Sequence, residues 1–188
     1  MSENKKKLRK AARRTLANLS EGDLQTQSQA LSSRLVSWLN AQPNIKKVAL
    51  FAALPSEVDL VLATQLLANL EWHYPIVNGS QMSFHLVNAH DSLTSGYQGI
   101  KEPNPQIHPA AQPEELDLIL CPGLAFTMKG LRLGRGGGFY DRYLEQLPEQ
   151  TYRMGVCYPS QIIDHLPVEP HDIAMTHMLG VDQVSTCT

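Results

Sequence analysis

Two short runs, KVALFAAL from Lys47 to Leu54 and LDLILCPGLAF from Leu116 to Phe126, are apolar at almost every position. Such runs lack the in–out alternation of a strand with one wet face, and the first is stopped by Pro55. Both read as strands buried on two faces, which demands a sheet covered by helices. The segments between and around them supply the cover. KKKLRKAARRTLANL carries Leu8, Ala12, Leu16 and Leu19 at helical spacing, and Leu24, Leu31, Leu35, Trp38 and Leu39 continue that period after a capping signal at Ser20 and Asp23. A helical hairpin therefore leads the chain. VDLVLATQLLANL and FYDRYLEQL read as helices, and YPIV (74–77), MSFHLV (82–87), YRMGVCY (152–158) and a weak last segment near HMLGV read as strands. Between Asn88 and Pro113 the pattern dissolves into a long loop of Gly, Pro, Asn and His. Trp38 and Trp72 lie on helical patterns or at their ends, where core packing is expected. Strands alternating with helices predict an α/β sheet with both faces covered.

A chain of 188 residues fits one domain and buries roughly 70% of the surface its unfolded form exposes. A net charge of −2 excludes a globally basic nucleic-acid coat, yet seven of the sixteen Lys and Arg residues fall between Lys5 and Arg14. That cluster is either a solvated helix face or a nucleic-acid-binding surface; against the latter, no aromatic residues interleave it. Three cysteines, far apart and without a C-x-x-C pair, suit a reducing compartment, and Cys121 reads as a small core residue. No apolar run reaches 18 residues. A cytoplasmic protein without a membrane or nucleic-acid partner, monomeric or weakly homo-oligomeric, is the expectation.

The stretch LRLGRGGGFYDRYL (131–144) places four glycines in five positions between an apolar strand and a helix. Backbone N–H groups in such a turn can converge on an anion because no Cβ atoms crowd it. It matches neither common phosphate loop. Phe139 and Tyr140 stand where a Walker A loop needs Lys and Ser or Thr, and Phe139 also occupies the last small position of a dinucleotide fingerprint. Lys129, Arg132 and Arg135 nevertheless surround the turn with cations suited to phosphate, and Asp141 among them suggests a divalent cation between carboxylate and phosphate. The plainer alternative keeps the turn merely tight, with Asp141 at a helix start paired to Arg142 or Arg135. His165, His171 and His177 are six residues apart, a spacing that fits neither one helical face nor a close pair of zinc ligands.

RLGRGGGFYDRYL, preceded by CPGLAF, closely resembles the signature of the 5-formyltetrahydrofolate cyclo-ligase family. KKKLR with RRTLANLS, PSEVD after the first buried strand, GIKEP and the late PHD resemble further segments of that family in the same order. The resemblance implies one domain over residues 1–188, a three-layer α/β sandwich with a mostly parallel, Rossmann-like sheet, similar to phosphosugar isomerases and coenzyme A transferases. It also implies a reaction in which ATP and Mg²⁺ convert 5-formyltetrahydrofolate to 5,10-methenyltetrahydrofolate. Carried over by position, Lys5, Lys6, Lys7, Leu8 and Arg9 would meet ATP, with Arg132, Leu133, Gly134, Arg135, Gly136, Gly137, Gly138, Phe139 and Tyr140 as the nucleotide cradle. Ala52, Glu57 and Arg135 to Phe139 would hold the folate. Asp141 and Asp172 would ligate Mg²⁺, and Lys5, Arg135 and Asp141 would carry the catalysis. Two departures stand out: Thr127 replaces a common Asp, and the aromatic of the central loop, Tyr97, is displaced by Gln98 from the Gly-Ile it usually precedes. A phosphosugar isomerase or coenzyme A transferase-like enzyme, or a polyanion binder using the basic helix, are the competing readings.

Overall fold

The computed structural model describes residues 3–88, 93–96 and 99–187. Two helices open it, α1 (Glu3–Ala17) and α2 (Glu21–Asn40). The junction is built as the sequence predicts: Ser20 accepts from the Asp23 amide, and the Asp23 carboxylate accepts from the Ser20 amide at 3.3 Å. Then come β1 (Lys47–Ala49), α3 (Val61–Leu66), β2 (Glu71–Asn78), β3 (Gln81–Leu86), β4 (Thr94–Ser95), β5 (Lys101–Glu102), β6 (Ala110–Ala111) and β7 (Leu118–Cys121). A ribbon of β8 (Ala125–Phe126) and β9 (Arg132–Leu133) precedes α4 (Phe139–Leu144), followed by β10 (Tyr152–Val156), β11 (His177–Leu179) and β12 (Val184–Thr186).

Eight strands form one sheet in the order β12-β11-β10-β7-β1-β2-β3-β6. The five central strands, β11 to β2, are parallel, and antiparallel pairings occur only toward the edges. The two apolar runs sit side by side at its centre, with Val48 opposite Leu118 and Ala49 opposite Ile119. Successive residues serve opposite faces: Val48, Leu50, Leu118 and Leu120 join Leu31, Leu35 and Leu39 of α2 and Ala63 of α3 in one core. Ala49, Ile119 and Cys121 join Phe84, Tyr143, Leu144 and Met178 in the other. The apolar runs are continuous because both faces are dry. The result is a layer of helices on each side of a mostly parallel sheet, with α4 as the chief helix of the thinner layer.

Several sequence expectations shift. The first run leaves the sheet after the Leu50 amide bonds to His73 O, because Phe51 to Leu54 turn away to line a cleft. The third helix is six residues long rather than thirteen, and Trp72, expected at a helix end, lies buried in β2 with its indole N–H bonded to Leu67 O. The 88–113 segment is not bare loop. It holds the β4–β5 pair and strand β6, and His85 Nδ1 meets His108 O at 2.8 Å; Tyr97 and Gln98 lie outside the described residues. No helix among the described residues is long and apolar enough to cross a membrane.

Candidate active site

Parallel strands point their carboxyl ends to one edge, and the loops that leave those ends face a crevice where neighbouring connections run to opposite sides. Here β1 is flanked by β2 on one side and β7 on the other, so that switch point falls at the sheet centre. A cleft of about 640 Å³ occupies this edge. Loops after β1, β7 and β10 supply Ala52, Glu57, Gly123 and Asp172, the glycine turn supplies Arg132 to Asp141, and α1 supplies Lys5, Arg9 and Arg13.

The glycine turn and the basic helix, 125 residues apart, meet directly: Arg9 Nε donates to Gly134 O at 2.9 Å. The turn needs its glycines for conformation as well as space. Gly136 and Gly138 have φ of 112° and 67°, backbone that a side chain would strain. Arg132 and Leu133 belong to strand β9, so the turn follows a two-stranded ribbon and not a buried strand directly. Three successive turns of α1 present Lys5, Arg9 and Arg13 to the cleft. Lys6 and Lys7 instead face solvent and Leu8 packs against Leu133 and Leu166, so these three do not join the cleft as the resemblance implied. Lys6 and Lys7, at i+1 and i+2 from Lys5, lie on other faces, and Leu8 is taken up by the small apolar cluster it packs against.

Each cation to which the resemblance gives a catalytic role faces a carboxylate. Lys5 is buried, its ammonium bonded to Asp172 Oδ1 at 2.8 Å and Glu169 Oε2 at 2.9 Å. Burial alone would lower its pKa; the hydrogen bonds and attraction of Asp172 and Glu169 outweigh that and raise it. The same balance works in reverse on Asp172. Burial would raise its carboxyl, but Lys5 and the Glu169 amide hold it down. Arg132, with a side chain 3% exposed, donates to Asp141 Oδ1 at 2.6 Å. Asp141 therefore pairs with Arg132, whereas Arg142 donates to Ser80 O and Gly137 O. Arg135 spans the cleft to Glu57 Oε1 at 2.9 Å, and Glu57 Oε2 accepts from the Leu54 amide. Glu57 thus closes its own loop and does not cap α3; Asp59 accepts from the Val61 amide instead.

Polar atoms in the cleft wall also lack partners among the described residues. Arg9 Nη1, Arg132 Nε and Tyr140 Oη are buried without a hydrogen bond. Burial pushes the Tyr140 phenol well above its usual range, so it remains a donor. Its ring is held edge-on by Phe84, and Arg132 lies over it at 5.4 Å. Residues the sequence reading missed include Arg13, Glu169 and His171. Arg13 was legible as the next step of the 5, 9, 13 helical stripe. Glu169, His171 and Asp172 bring their ligand atoms within 4.8 Å of one another, while His165 is exposed outside this group and His177 stacks near Trp38 and Tyr152.

Fold and cleft define an α/β enzyme whose site lies beyond the carboxyl ends of a parallel sheet and is walled by cations and unpartnered donors. The model of the 5-formyltetrahydrofolate cyclo-ligase family matches residues 1–181, and the chain belongs to that family. A 5-formyltetrahydrofolate cyclo-ligase of Mycolicibacterium smegmatis is 43% identical over 88 residues, which are 47% of this chain and 45% of that protein. One from Haemophilus influenzae is 27% identical over 184 residues, covering 95% of this chain and 98% of the relative. The NMR structure of a 5,10-methenyltetrahydrofolate synthetase from Aquifex aeolicus matches with a TM-score of 0.81 and 34% identity, covering 97% of this chain and 92% of that one.

Proposed function

We propose that this cleft converts 5-formyltetrahydrofolate to 5,10-methenyltetrahydrofolate, with ATP as co-substrate and Mg²⁺ as the metal, and that residues 1–188 act as one cytoplasmic catalytic domain. The observation that carries the reading is the Arg9–Gly134 contact, which joins the cationic helix stripe and the glycine turn in one wall. A stripe of three cations with a glycine cradle suits a polyphosphate better than a single phosphate, which favours ATP over a phosphosugar.

A formyl oxygen is a poor leaving group from carbon, and phosphorylation of that oxygen is the service ATP supplies. N10 then attacks the activated carbon and phosphate departs. The protein's share is positioning and charge neutralisation. Arg9 and Arg13 face the cleft from α1, and Arg9 Nη1 is a buried donor without a partner, which fits a phosphate oxygen. The Tyr140 phenol is a second such donor. Glu57, its side chain 8% exposed, offers carboxylate oxygens matched to the N–H donors of a pterin, and Arg135 stands opposite it. Folate entry exchanges the Arg135–Glu57 contact for contacts to ligand.

The donor set fits Mg²⁺ at Asp141. Its side chain is 21% exposed toward the cleft and Arg132 engages only Oδ1 in a hydrogen bond, while Mg²⁺ asks for one or two carboxylates and takes the rest from phosphates and water. Asp172 fits less well, since Lys5 and the Glu169 amide already occupy its oxygens. Lys5 accordingly acts on the nucleotide as the partner of that carboxylate cluster. Mg²⁺, when bound, would neutralise charge on the transferring phosphoryl group.

Purified protein mixed with 5-formyltetrahydrofolate, ATP and Mg²⁺ should generate the methenyl chromophore in a spectrophotometric assay. Folded protein that gives no ATP-dependent product overturns the reading.

A further inference from the structure

The loop that carries Glu57 is held from behind by a side chain that does not line the main cleft. Tyr158, which follows β10 and is 1% exposed, places its hydroxyl 2.9 Å from Glu57 O and 3.1 Å from Ser28 Oγ on α2. The Asp59 amide reaches the same Ser28 oxygen at 3.1 Å, and Ser32 Oγ reaches Asp59 O at 3.2 Å. Proton bookkeeping fixes the direction of this chain. A carbonyl only accepts, so Tyr158 spends its single proton on Glu57 O. Ser28 must then donate to Tyr158, which leaves its lone pairs for the Asp59 amide. The sequence Asp59 N–H to Ser28 to Tyr158 to Glu57 O therefore clamps residues 57–59 at both ends.

The same short segment holds a second wall. Gln161 Oε1 accepts from the Tyr158 amide at 2.8 Å, and its Nε2 donates to Gly123 O at 2.7 Å. Gly123 and Glu57 both line the cleft, from the loops after β7 and β1. The backbone on either side of the sheet centre is thus pinned through one element. Buried, fully satisfied networks of this kind rigidify what they hold.

Resting on the proposed function, we infer that Tyr158 is a positioning residue for the folate half of the site: its hydroxyl sets the Glu57 backbone, and through it the carboxylate that meets the pterin and Arg135. The glycine turn meets the clamped loop at Arg135, which donates to the Glu57 carboxylate and faces the folate, whereas the α1 stripe of the nucleotide half bonds to Gly134, Asp172 and Glu169. Loss of the hydroxyl should therefore touch one substrate and spare the other.

Tyr158→Phe keeps the ring and removes the donor. Its KM for 5-formyltetrahydrofolate should rise about tenfold, with kcat and the KM for ATP changing less than about twofold. In a Glu57→Gln background the same substitution should add less than about twofold, because the group it positions has lost its charge. With no substrate present, amide exchange of residues 57–59 should accelerate in Tyr158→Phe. Equal rises in both KM values, an unchanged folate KM, or a folate penalty undiminished in Glu57→Gln overturns the inference. Ser28→Ala, which breaks the chain one step earlier, should give a smaller rise with the same selectivity and serves if Tyr158→Phe does not fold. A wild-type protein without turnover would sink the proposed function alone, since the exchange difference reads the clamp independently.

Discussion

Two ion pairs in the cleft use the same chemistry with the burial reversed between cation and carboxylate. Lys5, its side chain 5% exposed, is wedged between Asp172 and Glu169; Arg135, 37% exposed, reaches across to Glu57. Taking a cation out of water commits the fold to keeping its partners, because an unpaired buried charge costs several kcal/mol. Arg135 itself regains water when its contact breaks, and Glu57, though 8% exposed, keeps the Leu54 amide on Oε2. The Lys5 end is therefore a fixed electrostatic block that shapes the site before ligand arrives. The Arg135 end is a contact that ligand can break.

That contrast is open to direct attack. Lys5→Met should be the most damaging single change, since it leaves Asp172 and Glu169 facing each other: about 2–3 kcal/mol of stability and roughly a hundredfold in turnover. Chemical denaturation and the methenyl assay read the two losses, and an unaltered denaturation midpoint would remove the block from the argument. Asp141→Asn comes next, because Arg132 is 3% exposed but Asp141 is not. It should lose about 1–2 kcal/mol and, in a titration of turnover against Mg²⁺, demand more metal. Turnover with wild-type Mg²⁺ dependence would reject the metal role. Arg135→Ala strips the cation from a carboxylate 8% exposed that keeps only the Leu54 amide, so it should cost about 0.5–1 kcal/mol in thermal melts while raising the folate KM roughly tenfold in steady-state kinetics.

The mildest test varies only pH. Asp172 is held below its ordinary 3.8, so its contribution is complete above that value and disappears as pH falls through the lower folded pKa. Lys5 is held above its ordinary 10.5, so its contribution is complete below that value and disappears as pH rises through the higher folded one. The stability gap between wild type and Lys5→Met should hence be flat between these limits and narrow beyond each.

Much of the fold was readable from pattern. The two apolar runs became the sheet centre, and Ser20 and Asp23 formed their cap, because burial on two faces and capping are properties of a few consecutive residues. Strand β12 and the β4–β5 pair escaped notice because two or three residues are too few to show a period. In the site, Lys5, Arg9 and Arg13 were legible as a helical stripe, whereas Lys6, Lys7 and Leu8 were carried in by adjacency and the helix turned them elsewhere.

By itself the sequence determined the glycine turn and the stripe of cations, since positive φ and helical periodicity are local demands on the backbone. Which carboxylate each cation meets was decided only by tertiary structure. Lys5 meets Asp172 across 167 residues, and Arg135 meets Glu57 across 78. Coulombic partnership depends on distance and burial in space, and the chain alone supplies neither until the sheet has brought its strand ends to one edge.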